Sequence, residues 1–73
     1  MSTENSILIR LSEVIELVGL SKSSIYRRLN PKDKKFYDST FPRPIKIGNT
    51  SNRWVKQEVE EWINNLILQR KPS

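Results

Sequence analysis

A single residue, Leu20, separates a glycine suited to ending a helix from a serine suited to starting one. Gly19 takes the left-handed conformation of a helix C-terminus without steric cost. The Ser21 hydroxyl can accept a bond from a free N–H of the next first turn. Upstream, Ser12 reads as another N-cap. Glu13 and Glu16 suit the positive end of a helix dipole. Val14, Ile15, Leu17 and Val18 supply an apolar stripe, so a helix is expected over residues 12–18. Downstream, a second helix is expected from Lys22 to Leu29. Pro31 stops it and disfavours helical geometry at Asn30. Two short helices joined by a tight glycine turn form a helix-turn-helix. A helical hairpin packed only for stability has the same spacing, so surface chemistry must decide.

On a helix, Ile25 and Leu29 set the buried direction of the second segment. Ser23 and Arg27 then point away from the core, with Ser24 and Tyr26 flanking them and Arg28 nearer the boundary. Small hydroxyls sit at the N-terminal end and longer donors at the C-terminal end. Such a face suits a major groove, where arginine can donate two bonds to guanine O6 and N7. Tyrosine and lysine can bind phosphate oxygens, which fix register without reading sequence. A merely solvated helix mixes acids with its bases to form i, i+4 pairs. Residues 21–30 contain no acid at all.

Charge across the chain agrees. Residues 1–20 carry a net −2, residues 21–53 a net +7 and residues 54–73 none. The excess therefore lies in the middle segment and points to a polyanionic partner there. Residues 30–44, NPKDKKFYDSTFPRP, read as an irregular basic loop. Of Phe36, Tyr37 and Phe41, one or two rings are expected to anchor it to the core. Lys34, Lys35 and Arg43 are its candidate backbone contacts.

Beyond the loop, Ile45 and Ile47 alternate with Lys46. Gly48 to Asn52 cluster as a turn, and Arg53, Trp54 and Val55 return, giving a two-stranded hairpin. After a helix-turn-helix such a hairpin can act as a wing. Lys46, Asn49, Thr50, Ser51, Asn52 and Arg53 are its candidate contacts to a minor groove or backbone. The last helix, Lys56 to Leu68, places Val59, Trp62, Ile63, Leu66 and Ile67 on one stripe for core building. Ile7 to Leu11 is a short strand or extended lead. Residues 1–6 and 69–73 are expected to be a disordered and a frayed tail around one domain, residues 7–68.

The chain has 73 residues, no cysteine and no histidine. No disulfide, thiolate nucleophile, imidazole base or common zinc ligand is available. No catalytic constellation is readable, so no enzyme, cofactor or metal is expected. No apolar run approaches the roughly 20 residues of a membrane span. The polar start MSTENS lacks a secretory pattern. A cytoplasmic, nucleoid-associated protein is the expectation.

The segments SEVIELVGLSKSSIYRRL, FPRPIKIG and RWVKQEVEEWI, in that order, resemble the AlpA family of small phage-associated DNA-binding regulators. These belong to the wider MerR-like and excisionase-like winged helices. The resemblance spans about residues 8–67. It implies a mainly α fold with a small β-hairpin, a winged helix-turn-helix of three helices plus a two-stranded wing. It also implies a regulator of prophage or mobile-element genes such as an integrase, with Ser23, Ser24, Tyr26 and Arg27 on the DNA-facing helix. The 30–44 loop is longer than the shortest family versions, and the polar wing tip NTSNR lacks the glycine often found just before the tryptophan.

The candidate recognition set is therefore Ser21, Lys22, Ser23, Ser24, Tyr26, Arg27 and Arg28. The expected partners are double-stranded DNA, further copies of the chain on it as a multimer or dimer, and an integrase or RNA polymerase. Alternatives are an excision factor that bends DNA, or a protein-binding adaptor or anti-repressor using the basic face.

Overall fold

Trp54 organises the interior. Its ring is fully buried, and its indole N–H donates to the Pro42 carbonyl at 3.1 Å. A buried indole N–H is costly unless paired, and this bond satisfies it while pinning the end of the long loop. Ile9, Val14, Ile25, Phe41, Val59 and Trp62 complete the core around it. Phe41 meets Trp62 edge-on, with ring centroids 4.8 Å apart. The loop thus anchors through Phe41, as expected, while Phe36 stays at the surface.

The computed structural model describes residues 7–70. The expected tail at 1–6 lies outside them, as do residues 71–73. In chain order the elements are β1 (Leu8–Ile9), α1 (Leu11–Val18), α2 (Lys22–Leu29), β2 (Ile45–Ile47), β3 (Ser51–Val55) and α3 (Lys56–Gln69). The helix-turn-helix corner forms as read. Gly19 sits at φ 72°, and its N–H donates to the Ile15 carbonyl at 2.9 Å. The Ser24 N–H donates to the Ser21 hydroxyl at 3.1 Å. Asn30 is extended before Pro31.

The start of α1 differs. Ser12 is not its cap: the helix begins at Leu11, with Arg10 as the N-cap residue. The end is closed instead by Glu13, whose carboxylate accepts the Arg10 backbone N–H at 3.2 Å. Strand pairing of Ile9 fixes the chain just before Arg10, which leaves Ser12 already inside the first turn.

The hairpin gains a third strand. β3 lies between β1 and β2 in an antiparallel sheet of order β1-β3-β2. Leu8 pairs with Val55 and Ile9 with Trp54; Ile45 pairs with Arg53, and Ile47 with Ser51. Opposed residues share a face, so Ile9 and Trp54 point into the core together. Ile45 and Ile47 are on the outer face and remain 45% and 43% exposed.

Two apolar stripes are shorter than their periodicity suggests. Leu17 of α1 is exposed. On α3, Val59 and Trp62 are buried and Ile63 is half-buried, but Leu66 and Ile67 are exposed. Beyond Ile63 the stripe is only partly covered, with Leu66 47% and Ile67 48% exposed.

Candidate nucleic-acid interface

The exposed side of α2 follows from its two buried anchors. Ile25 is fully buried and Leu29 half-buried, which turns Lys22, Ser23, Tyr26 and Arg27 outward. Ser24 is half-buried, and its hydroxyl accepts a bond from the Ser21 hydroxyl at 3.1 Å. Both serines therefore serve the helix cap. Arg28 is half-buried too. It donates to the Ser24 carbonyl at 3.4 Å, and its charge acts on Asp38. Among the seven recognition candidates, Lys22, Ser23, Tyr26 and Arg27 are thus the long or free side chains on the open face.

Arg27 is held by the loop that follows its helix. Its Nε lies 4.0 Å from Asp33 Oδ2, and its guanidinium carbon lies 5.1 Å from the centre of the Phe36 ring. The other Asp33 oxygen, Oδ1, accepts the backbone N–H groups of Lys35 and Phe36 at 3.2 and 3.0 Å. One carboxylate therefore orders the turn that carries Phe36 and lies at ion-pair distance from the arginine. The two terminal nitrogens make no hydrogen bond among the described residues, and an arginine with its fork free can grip a guanine edge. The sequence alone places Arg27 on this face and does not pair it with Asp33 or Phe36. The signal was there in Asp33 itself, since aspartate nucleates turns by accepting N–H groups two or three residues on.

The rest of the loop is ordered in the same way. The Asn30 side chain accepts the Lys32 N–H, and Asp38 accepts both the Thr40 N–H and its hydroxyl. Asp38 also receives the Trp62 indole N–H at 3.3 Å. Burial raises the Asp38 pKa, but the Thr40 and Trp62 hydrogen bonds and the charge of Arg28 outweigh it and hold the carboxyl below its ordinary value. Lys34 and Lys35 are exposed, the latter with its ammonium 5.6 Å from the Phe36 ring centre. Arg43 is exposed and donates to the Tyr37 hydroxyl at 3.0 Å.

At the hairpin, Gly48, Asn49 and Thr50 form the tip, with Gly48 at φ 68°. Ser51 and Asn52 belong to β3. Lys46 is exposed, while Arg53 is half-buried and donates to the Asn52 carbonyl at 3.0 Å. The hairpin and α2 are separated by an open cleft of about 510 Å³ that Tyr26, Thr50, Asn52 and Arg53 line from two sides. Arg10 and Ser12 at the start of α1 close its third side. Sequence reading did not place either of them here. None of the described residues lining this cleft is acidic.

A capped basic helix packed on α1, a sheet-borne hairpin, and a third helix packed against α1 and β3 together define a winged helix-turn-helix domain. Among known proteins, residues 7–67 match the family model described as prophage CP4-57 regulatory protein (AlpA). The chain belongs to the AlpA family. It is 39% identical over 57 residues to the DNA-binding transcriptional activator AlpA of Escherichia coli (strain K12), covering 78% of this chain and 80% of that protein. It is 32% identical over 63 residues to ORF88 of Enterobacteria phage P4, described as uncharacterized, covering 86% of this chain and 64% of that one. No solved structure matches the chain at a significant level.

Proposed function

We propose that this chain regulates transcription of prophage or mobile-element genes, such as an integrase gene, by sequence-specific binding to double-stranded DNA. The observation that carries the reading is the α2 face. It has no acidic residue, it bears Lys22, Tyr26 and Arg27 outward, and its arginine is steadied by Asp33 and Phe36. Similarity to a relative named as a DNA-binding transcriptional activator supports it.

In this reading Arg27 reads a base edge and Ser23 lets the first turn approach closely. Lys22, Tyr26, Lys46 and Arg53 contact phosphates, with Lys34, Lys35 and Arg43 reaching the flanking backbone. Arg28 and Ser24 act mainly by holding α2. The domain comprises residues 7–68 and works without catalytic chemistry or cofactor, on the nucleoid. Further copies of the chain, an integrase or RNA polymerase are its proposed partners on DNA. The exposed Leu66, Ile67 and Leu68 at the C-terminal end of α3 favour such contacts.

The test is fluorescence anisotropy on fragments around the chain's own locus and the nearest integrase promoter, each against a shuffled control, at two salt concentrations. A local fragment preferred by at least about a hundredfold at the higher salt is the expected result. Equal binding to all fragments that vanishes with salt refutes the proposal.

A further inference from the structure

The cleft between α1, α2 and the hairpin contains a charge arrangement that the folded chain alone leaves unfavourable. β1 and β3 are antiparallel, with Leu8 opposite Val55 and Ile9 opposite Trp54. Continuing that register by one step sets Arg10 opposite Arg53. Like charges directly across a strand pair repel. Both arginines line the same cleft, and neither has a salt-bridge partner among the described residues. The Arg10 side chain caps nothing, since the bond at this helix start runs from its backbone N–H to Glu13. Two arginines with no carboxylate partner among the described residues line the cleft from different elements, together with Ser12, Tyr26, Thr50 and Asn52.

We infer that this cleft is a binding site for one phosphodiester group of the DNA backbone, held between Arg10 and Arg53. The inference rests on the DNA-binding reading above and adds Arg10 and Ser12 to the interface. A phosphate placed there turns repulsion into two charge-assisted contacts, because guanidinium groups donate in a fork that matches phosphate oxygens. Tyr26 and Ser12 donate from the helical side, and Asn52 and Thr50 from the hairpin. The phosphate therefore ties the helix-turn-helix to the hairpin across this polar cleft. The cleft lies where a DNA strand must pass if α2 occupies one groove and the hairpin the next. The contact reads no base.

The experiment uses the full chain with Arg10→Ala, Arg53→Ala and the double variant. Binding to the preferred fragment and to its shuffled control is measured from low to moderate salt, alongside thermal melting without DNA. Arg10→Ala is expected to weaken both DNAs alike, by about tenfold at low salt, and Arg10→Lys to recover part of it. Because two arginines share one phosphate, the double variant should lose about 0.9 in the slope of log K against log salt, the value for one neutralised phosphate, in place of about 1.8 for two. Melting of Arg10→Ala at low salt should be no lower than that of the parent chain, since a repulsion is removed.

Unchanged affinity in Arg10→Ala, a double-variant slope change near that of two phosphates, or a fall in melting temperature matching the loss of binding would each overturn the inference. In all three cases the DNA-binding reading stands, because the parent chain binds. If the parent chain binds neither DNA, that reading falls and takes this site with it.

Discussion

α2 and α3 differ in almost every respect that matters for what a helix can do. α2 has eight residues, one fully buried side chain, a side-chain cap and no acid. α3 has fourteen residues, two buried side chains including Trp62, no side-chain cap, and Glu58, Glu60 and Glu61 on its open side. A helix as short as α2 is not stable alone. It persists because the glycine corner, the serine cap and Ile25 hold it, and that leaves nearly all its outer face free for a ligand. α3 is stabilised by its packing, and its acids would repel DNA. In the proposed reading, recognition and scaffolding are thus separated between two helices, residues 22–29 and 56–69.

The comparison can be broken most forcefully at the core. Trp54→Ala removes the ring between α1, α3 and the sheet, and a loss of about 3–5 kcal/mol in denaturant unfolding is expected. In a domain of this size that leaves little folded protein. Next comes the reading face. Arg27→Ala should cost about 1–3 kcal/mol of binding and relax preference at one base position, with stability nearly unchanged. If the variant binds its site as tightly as the parent, α2 is not read in this way.

Asp33→Asn and Phe36→Leu sharpen the same point. Each should narrow the gap between the preferred and the shuffled fragment by several fold while leaving the salt slope intact, since neither contacts a phosphate. A third, smaller effect belongs to the helix start. Ser21→Ala removes the cap and should cost about 1 kcal/mol in unfolding, whereas Glu60→Gln on α3 should be within about 0.5 kcal/mol of neutral.

The smallest effect is in pH. The folded-state pKa of Asp38 is held below its ordinary value of 3.8, so its contribution is present above that value and is lost as pH falls through the folded pKa. Acid unfolding followed by tryptophan fluorescence should show this loss below about pH 4, and Asp38→Asn should flatten it.

The helix-turn-helix was legible because its punctuation is local. Gly19, Ser21 and Pro31 act through their own backbones, and no distant partner is needed to interpret them. The basic face of α2 was legible for a related reason: it follows from two buried positions and a fixed period. The start of α1 was not, because Ser12 is a good cap by type, yet strand pairing of Ile9 with Trp54 decides where the helix begins. Periodicity likewise marked Leu66 and Ile67 as buried without information on how far the body extends. The support of Arg27 by Asp33 and Phe36 depended on how the loop turns back, and the Arg10–Arg53 cleft depended on strand register. Both are tertiary facts.

The length of α2 also bears on how much a single molecule can know about where it is. Eight residues at about 1.5 Å each make a rod of roughly 12 Å, which spans about four base pairs at 3.4 Å per step. Four base pairs amount to about 8 bits, while choosing one site among some 10⁶ competitors takes about 20 bits. In the proposed reading α2 alone therefore supplies less than half of the address. The remainder falls to the hairpin, to the shape of the DNA or to further copies bound beside the first.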